Sequence, residues 1–223
     1  MPELKLYISK TCPFAHRSRL MLYEKGIDFE LIEIDLSNKP EWFASVSLYT
    51  KVPALEHGDV RIFESAIVNE YVDEVFPTPA MVPADPGRRA LARIWVDYCN
   101  TRFTSAFGGL LREADPSARP EKAEKLLETL RYMEKSGLER LGASPYWLGD
   151  SISIVDVAFW PWFERFAAMT HYRGFTIPDD CTLLNAWVAA MRERPAVQKA
   201  ANPPEFFINA YARYAEDTAD AAE

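Results

Sequence analysis

Leu4-Lys5-Leu6-Tyr7-Ile8-Ser9-Lys10-Thr11-Cys12-Pro13-Phe14-Ala15 reads as a short strand that turns directly into a helix. Its first five residues alternate at the period of a strand. Proline is preferred at the first position inside a helix, so Pro13 places Cys12 at the N-cap. Free N–H groups and the positive end of the helix dipole favour an anion there. The anion a cysteine offers is its thiolate. The sequence therefore predicts a lowered Cys12 pKa and a nucleophile at neutral pH. The competing reading is a small apolar side chain filling a strand–helix turn.

Working outward, residues 13–25 carry a helix that closes at Gly26. Phe29-Glu30-Leu31-Ile32-Glu33-Ile34 is a second strand, and the helix between the two implies parallel pairing. Pro40 to Ser45 is a short helix. Ala54-Leu55-Glu56 and Val60-Arg61-Ile62-Phe63 flank His57-Gly58-Asp59, the pattern of a β-hairpin. Ser65 to Phe76 is amphipathic and helical. Pro77, Pro79, Pro83 and Pro86 then mark a boundary. The expected organisation is an α/β domain over 1–78, a linker over 79–86 and an all-helical domain over 87–223. Periodicity predicts helices over 88–112, 120–141, 153–170 and 183–193, with one more after Pro203. Ser153-Ile154-Val155-Asp156 resembles a capping box with Asp for the usual Glu, and Pro161 predicts a kink. The acidic, alanine-rich end from Asp217 to Glu223 is expected to fray.

The bulk numbers exclude several function classes. The 223 residues are 48% hydrophobic and 26% charged, ordinary for a soluble globular chain with a sizeable core. A formal charge of -8 argues against nucleic acid or an anionic membrane as the main partner. Three cysteines, Cys12, Cys99 and Cys181, are too few for a disulfide framework and fit a reducing compartment. No apolar run approaches the roughly 20 residues of a membrane span. Met1-Pro2-Glu3-Leu4-Lys5 lacks the basic start and apolar run of a signal peptide, so a cytoplasmic protein is expected. Cys12 and His16 have no second ligand pair, so no metal is expected, and His16 reads as a surface residue. His57 and His171 read as structural, and Cys99, among Trp95, Val96 and Tyr98, as a packing residue.

A binding constellation surrounds Cys12 in the sequence. Val52-Pro53 directly precedes a strand. It either simply starts that strand or, with a cis bond, turns the Val52 backbone outward to pair with an extended peptide. Glu64-Ser65 at the hairpin–helix junction is either a plain cap or a carboxylate site with Glu64 accepting from an ammonium. Lys39 is either solvated or paired with a second carboxylate. Taken together they outline an extended, zwitterionic, thiol-bearing tripeptide, with its sulfur at Cys12.

Three stretches make the chain resemble the cytosolic glutathione transferase superfamily, most closely its omega class. These are Cys12-Pro13-Phe14-Ala15 with Arg17 and Arg19, Asn38-Lys39-Pro40-Glu41-Trp42-Phe43, and Trp160-Pro161-Trp162-Phe163-Glu164-Arg165. The resemblance implies an α/β thioredoxin-like N-terminal domain plus an all-α helical C-terminal domain, usually in a homodimer. It implies glutathione as cosubstrate. By position, Cys12 is then the catalytic thiol, Phe14 lines the site, Lys39 meets the glycine carboxylate, Val52 pairs with the peptide backbone, and Glu64 and Ser65 hold the γ-glutamyl end. His16 departs from the pattern, where a polar amide is expected, and the N-terminal extension of animal members is not in this sequence.

The implied function is a glutathione-dependent thiol transferase acting on a small-molecule acceptor or disulfide substrate, by deglutathionylation or dehydroascorbate reduction. Ala15 stands where a CxxC motif would place its second cysteine, so exchange would run through glutathione itself. The alternatives are a non-catalytic interaction or stress protein on the same fold, and a glutathione-dependent isomerase or dehalogenase. The full set of binding residues favours an enzyme.

Overall fold

A computed structural model describes residues 4–214, the Arg213 side chain excepted; the expected fraying at 217–223 lies outside them. The first half forms a four-stranded sheet of order β2-β1-β3-β4, from β1 (Leu4–Ile8), β2 (Glu30–Glu33), β3 (Ala54–His57) and β4 (Val60–Phe63). β1 pairs parallel with β2, as a helical crossover requires, and β3 runs antiparallel to both β1 and β4. Helix α1 (Pro13–Glu24) makes that crossover, and α2 (Ser65–Val75) follows β4. A 3-10 turn over Glu41–Ser45 stands where the short helix was expected. This is the expected thioredoxin-like arrangement.

The second half is helical throughout: α3 (Pro86–Tyr98), α4 (Thr104–Leu111), α5 (Arg119–Tyr132), α6 (Ile154–Glu164), α7 (Phe166–Arg173), α8 (Thr182–Arg192), α9 (Pro195–Ala200) and α10 (Pro204–Tyr211). π-helical segments at Cys99–Phe103 and Met133–Glu139 carry α3 into α4 and extend α5. In the second of these, Gly137 faces the Trp147 ring, which would lie 2.5 Å from any added Cβ. The expected 153–170 helix breaks at Arg165, and α9 was not expected, although Pro195 at its first turn is a start signal.

α6 is the axis of this domain, with Ile154 to Phe163 all buried. The capping box is present: the Ser153 Oγ accepts from the Val155 N–H (3.3 Å) and the Asp156 carboxylate from the Ser153 N–H (2.8 Å). Asp156 also accepts from the Trp147 N–H (2.9 Å), the Ser153 hydroxyl (2.6 Å) and the Trp187 Nε1–H (2.8 Å). One carboxylate thus fastens the start of α6 to α8 and to the turn before α6.

α1 is clamped between domains. It packs on the sheet and α2 on one side and on α6 and α9 on the other, so every residue from Ala15 to Leu22 is buried. That overturns the expectation for His16, which is buried at 2% exposure against α6 and not on the surface. α1 is covered on both sides because a second domain packs on it. At its C-terminal end, Lys25 pairs with Asp73 (2.6 Å) and donates to the Phe76 and Pro79 carbonyls (2.6 Å each). Asp73 in turn accepts from the Met81 and Val82 N–H groups, so this buried pair ties down the proline-rich connection. Arg194 forks onto Glu24 at 2.6 Å through each nitrogen and joins the α8–α9 corner to α1.

Burial also sets a pH dependence. The Glu164 carboxyl is pushed up to about 7, first by desolvation. His16 is held neutral, well below the usual imidazole range, by burial and by the Arg165 and Arg19 guanidiniums. Their 3.5 Å contact is therefore between a neutral ring and, below pH 7, a neutral acid. The unfolded carboxyl ionises near 4.5, so between 4.5 and about 7 the folded chain holds the extra proton. Stability should fall across that window and stay about 3 kcal/mol lower above it. Glu164→Gln keeps the acceptor for the Trp160 Nε1–H and removes the charge. Urea unfolding should find it more stable than the parent at pH 8, by about 2–3 kcal/mol, with the difference closing toward pH 4.5. A difference that does not change with pH would refute the assignment.

Candidate active site

Cys12 is the N-cap of α1, with extended backbone and Pro13 at the first helical position. Its thiol is half-buried and donates to the Val52 carbonyl at 3.7 Å. The Val52-Pro53 peptide is cis. The Phe14 and Ala15 N–H groups favour the ionised sulfur, as do the Arg165 and Arg17 guanidiniums, without a full capping hydrogen bond from either amide. Desolvation outweighs them, and the pKa is raised, not lowered. The predicted helix-terminus effect exists, but covering by the second domain removes the water that a thiolate needs.

Two buried guanidiniums flank the thiol. Arg17, 1% exposed, donates to the Ala158 carbonyl (2.8 Å), Asn100 Oδ1 (2.6 Å), Ser65 Oγ (3.2 Å) and Cys99 Sγ (3.1 Å). It lies over the Phe14 and Trp162 rings, 5.0 and 4.6 Å from their centroids. Among the described residues its hydrogen-bond partners include no carboxylate, so its charge stays available to the site. Arg165, fully buried, donates to the Thr11 carbonyl (3.1 Å) and the Pro161 carbonyl (2.5 Å) and stacks on Phe207. It thereby pins the residue before Cys12 to the helical domain.

Cys12 and Phe14 open onto a cavity of about 960 Å³ between the domains. Glu33, Asp35 and Ser37 line it from the sheet side, and Phe107, Leu111, Arg112, Trp162 and Tyr211 from the helical side. Phe14 stands edge-on to Trp162 at 5.1 Å.

Residues 11–75 match the family model for the glutathione S-transferase N-terminal domain, and residues 116–190 the model for its C-terminal domain. The chain belongs to the glutathione S-transferase family. It is 35% identical over 206 residues to glutathione S-transferase omega-1 of Sus scrofa, covering 88% of this chain and 80% of that one. It superposes on glutathione transferase Omega 3C from Trametes versicolor with a TM-score of 0.86 at 29% identity, over 96% of this chain and 91% of that one. A rice glutathione transferase solved in complex with glutathione gives a TM-score of 0.85 at 27% identity, over 95% and 96%. The enzyme is omega-like.

The transferase brings Cys12, Phe14, Val52 and Ser65 together through the contacts above. Glu64 directly precedes Ser65 with a φ of +69°, an unusual conformation for a residue with a side chain, which marks a held position. Lys39 is exposed and makes no ion pair among the described residues. Arg17, Arg165, Asn100 and Trp162 received no role from the sequence. Arg165 carried a signal, since a charge closing an otherwise apolar helical stretch implies a buried partner, whereas Arg17 stands among His16, Ser18 and Arg19 and carried none.

Proposed function

We propose that this glutathione transferase is a thiol transferase working through Cys12. The observation that supports it is the placement of one half-buried thiol at a helix N-terminus, on the Val52 carbonyl and at the cavity wall, with Cys99 and Cys181 both buried elsewhere. The Cys12 thiolate attacks the glutathionyl sulfur of a mixed disulfide; the acceptor leaves as a thiolate and takes a proton. A second glutathione, as its thiolate, attacks the mixed disulfide on Cys12, releasing glutathione disulfide and restoring the Cys12 thiolate. Dehydroascorbate reduction to ascorbate, with two glutathiones oxidised, fits the same thiol.

Glutathione would be held by Phe14, Lys39, the Val52 backbone, Glu64 and Ser65. A peptide N–H delivered to the Val52 carbonyl would compete with the Cys12 thiol for that acceptor and so favour the thiolate. Arg17 and Arg165 would then stabilise it. Exposed Ile67, Leu91 and Ile94 on α2 and α3 support a homodimer, and the cytoplasm is the matching compartment. No described helix is long and apolar enough to cross a membrane.

Mass spectrometry after treatment with oxidised glutathione should find a single glutathione adduct, on Cys12. Modification confined to Cys99 or Cys181 would count against the mechanism.

A further inference from the structure

We infer that Arg112 forms an anion subsite in the acceptor half of the cavity, selecting substrates that carry a carboxylate on an apolar or aromatic body. The inference rests on the thiol transferase reading and adds the acceptor's chemistry to it.

Arg112 closes α4 and lines the same cavity as Cys12. An arginine at a helix C-terminus ordinarily bonds the last carbonyls. Here the Leu110 carbonyl is already taken by the Arg173 Nε–H (3.2 Å), and the Arg112 guanidinium makes no hydrogen bond or ion pair among the described residues. It lies instead across Gly108, one turn back. A Cβ at Gly108 would sit 2.5 Å from Arg112 Nη2 and 3.1 Å from its Cζ. Glycine inside a helix costs stability, and here it provides the flat bed on which the guanidinium lies. Adjacent Gly109 meets nothing within 4 Å, so helix packing alone does not demand glycine at this turn.

The rest of the cavity gives the subsite its direction. Phe107, Leu111, Trp162 and Tyr211 line the cavity's helical side together with the exposed Arg112 and make that side largely apolar. The opposite wall is acidic. Glu33 is paired with Lys10 at 2.8 Å, while Asp35 accepts from the Ser37 hydroxyl and N–H and from the Asn38 N–H and is kept ionised by them. An anionic acceptor is thus repelled from the sheet side and drawn to Arg112, with its sulfur left toward Cys12. A planar guanidinium with free N–H groups is suited to a carboxylate.

The test compares two mixed disulfides of glutathione, one with 4-mercaptobenzoate and one with thiophenol. They differ only in the carboxylate. The parent enzyme should turn over the benzoate with about tenfold higher kcat/KM, a factor within reach of one charge-assisted hydrogen-bond pair. Arg112→Gln should erase that preference while leaving thiophenol turnover within about twofold, and Arg112→Lys should keep part of it. Gly108→Ala, which displaces the guanidinium without removing it, should behave like Arg112→Gln. An unchanged preference in Arg112→Gln, or none in the parent, would overturn the inference. If neither disulfide turns over, the thiol transferase reading fails, and binding of 4-(methylthio)benzoate against thioanisole judges the subsite. Tighter benzoate binding that Arg112→Gln abolishes upholds it, and equal binding overturns it.

Discussion

Cys12→Ser is expected to lose thiol transferase turnover by on the order of 10³ or more while binding glutathione within a few-fold of the parent. Serine fills the same space at the N-cap, so α1 and the Val52 contact should survive. The chemistry should not, because a hydroxyl neither ionises near neutral pH nor forms an S–S bond. No other group can take over: Ala15 occupies the resolving position, Cys99 is fully buried on Arg17, and Cys181 is buried at the start of α8. The raised pKa adds a directional check. In the free enzyme, alkylation of Cys12 by iodoacetamide should keep rising past the usual thiol range as pH increases. With S-methylglutathione bound, the ultraviolet absorbance of the Cys12 thiolate should saturate at lower pH than in the free enzyme, since the ligand would release the thiol from the Val52 carbonyl. Retained turnover in Cys12→Ser would sink the assignment.

Asp156→Ala should be the most destabilising single change, costing about 3–5 kcal/mol and lowering Tm by roughly 10 °C. The side chain is fully buried and accepts from two backbone N–H groups, a hydroxyl and an indole. Truncation strands the Trp147 and Ser153 N–H groups and the Trp187 Nε1–H where water cannot reach them. It also releases the start of α6, whose other end carries Arg165 to the Thr11 carbonyl. Asp156→Asn keeps one acceptor oxygen and should fall between the two. Urea unfolding measures both, and a loss under about 1 kcal/mol for Asp156→Ala would show that the network carries no net stability.

The strand–turn–helix at Leu4–Ala15, the hairpin and α2 were legible because each is a local pattern: alternation, a glycine turn, an amphipathic stripe. The Asp156 cap was legible for the same reason. The π-helical segments were not, since 99–103 and 133–139 keep helical periodicity and shift only their hydrogen bonds. The break at Arg165 escaped because nothing in Glu164-Arg165 stops a helix; Arg165 turns back to bond Pro161 and reaches Thr11. Cys12 and Ser65 could be named from their places at helix starts. Arg112 could not, because its meaning depends on the cavity it faces.

By itself the sequence determined where the thiol sits: strand spacing and Pro13 place Cys12 at a helix N-terminus whatever packs around it. The tertiary structure alone decided its protonation, because that depends on how much water the helical domain removes and where Arg17 and Arg165 bring their charges. His16 shows the same division. Its position on α1 follows from the chain, but its burial follows from α6, which lies about 140 residues away in sequence and against it in space. Periodicity encodes contacts within a helix turn or a strand pair, while desolvation sums over everything that closes on a site.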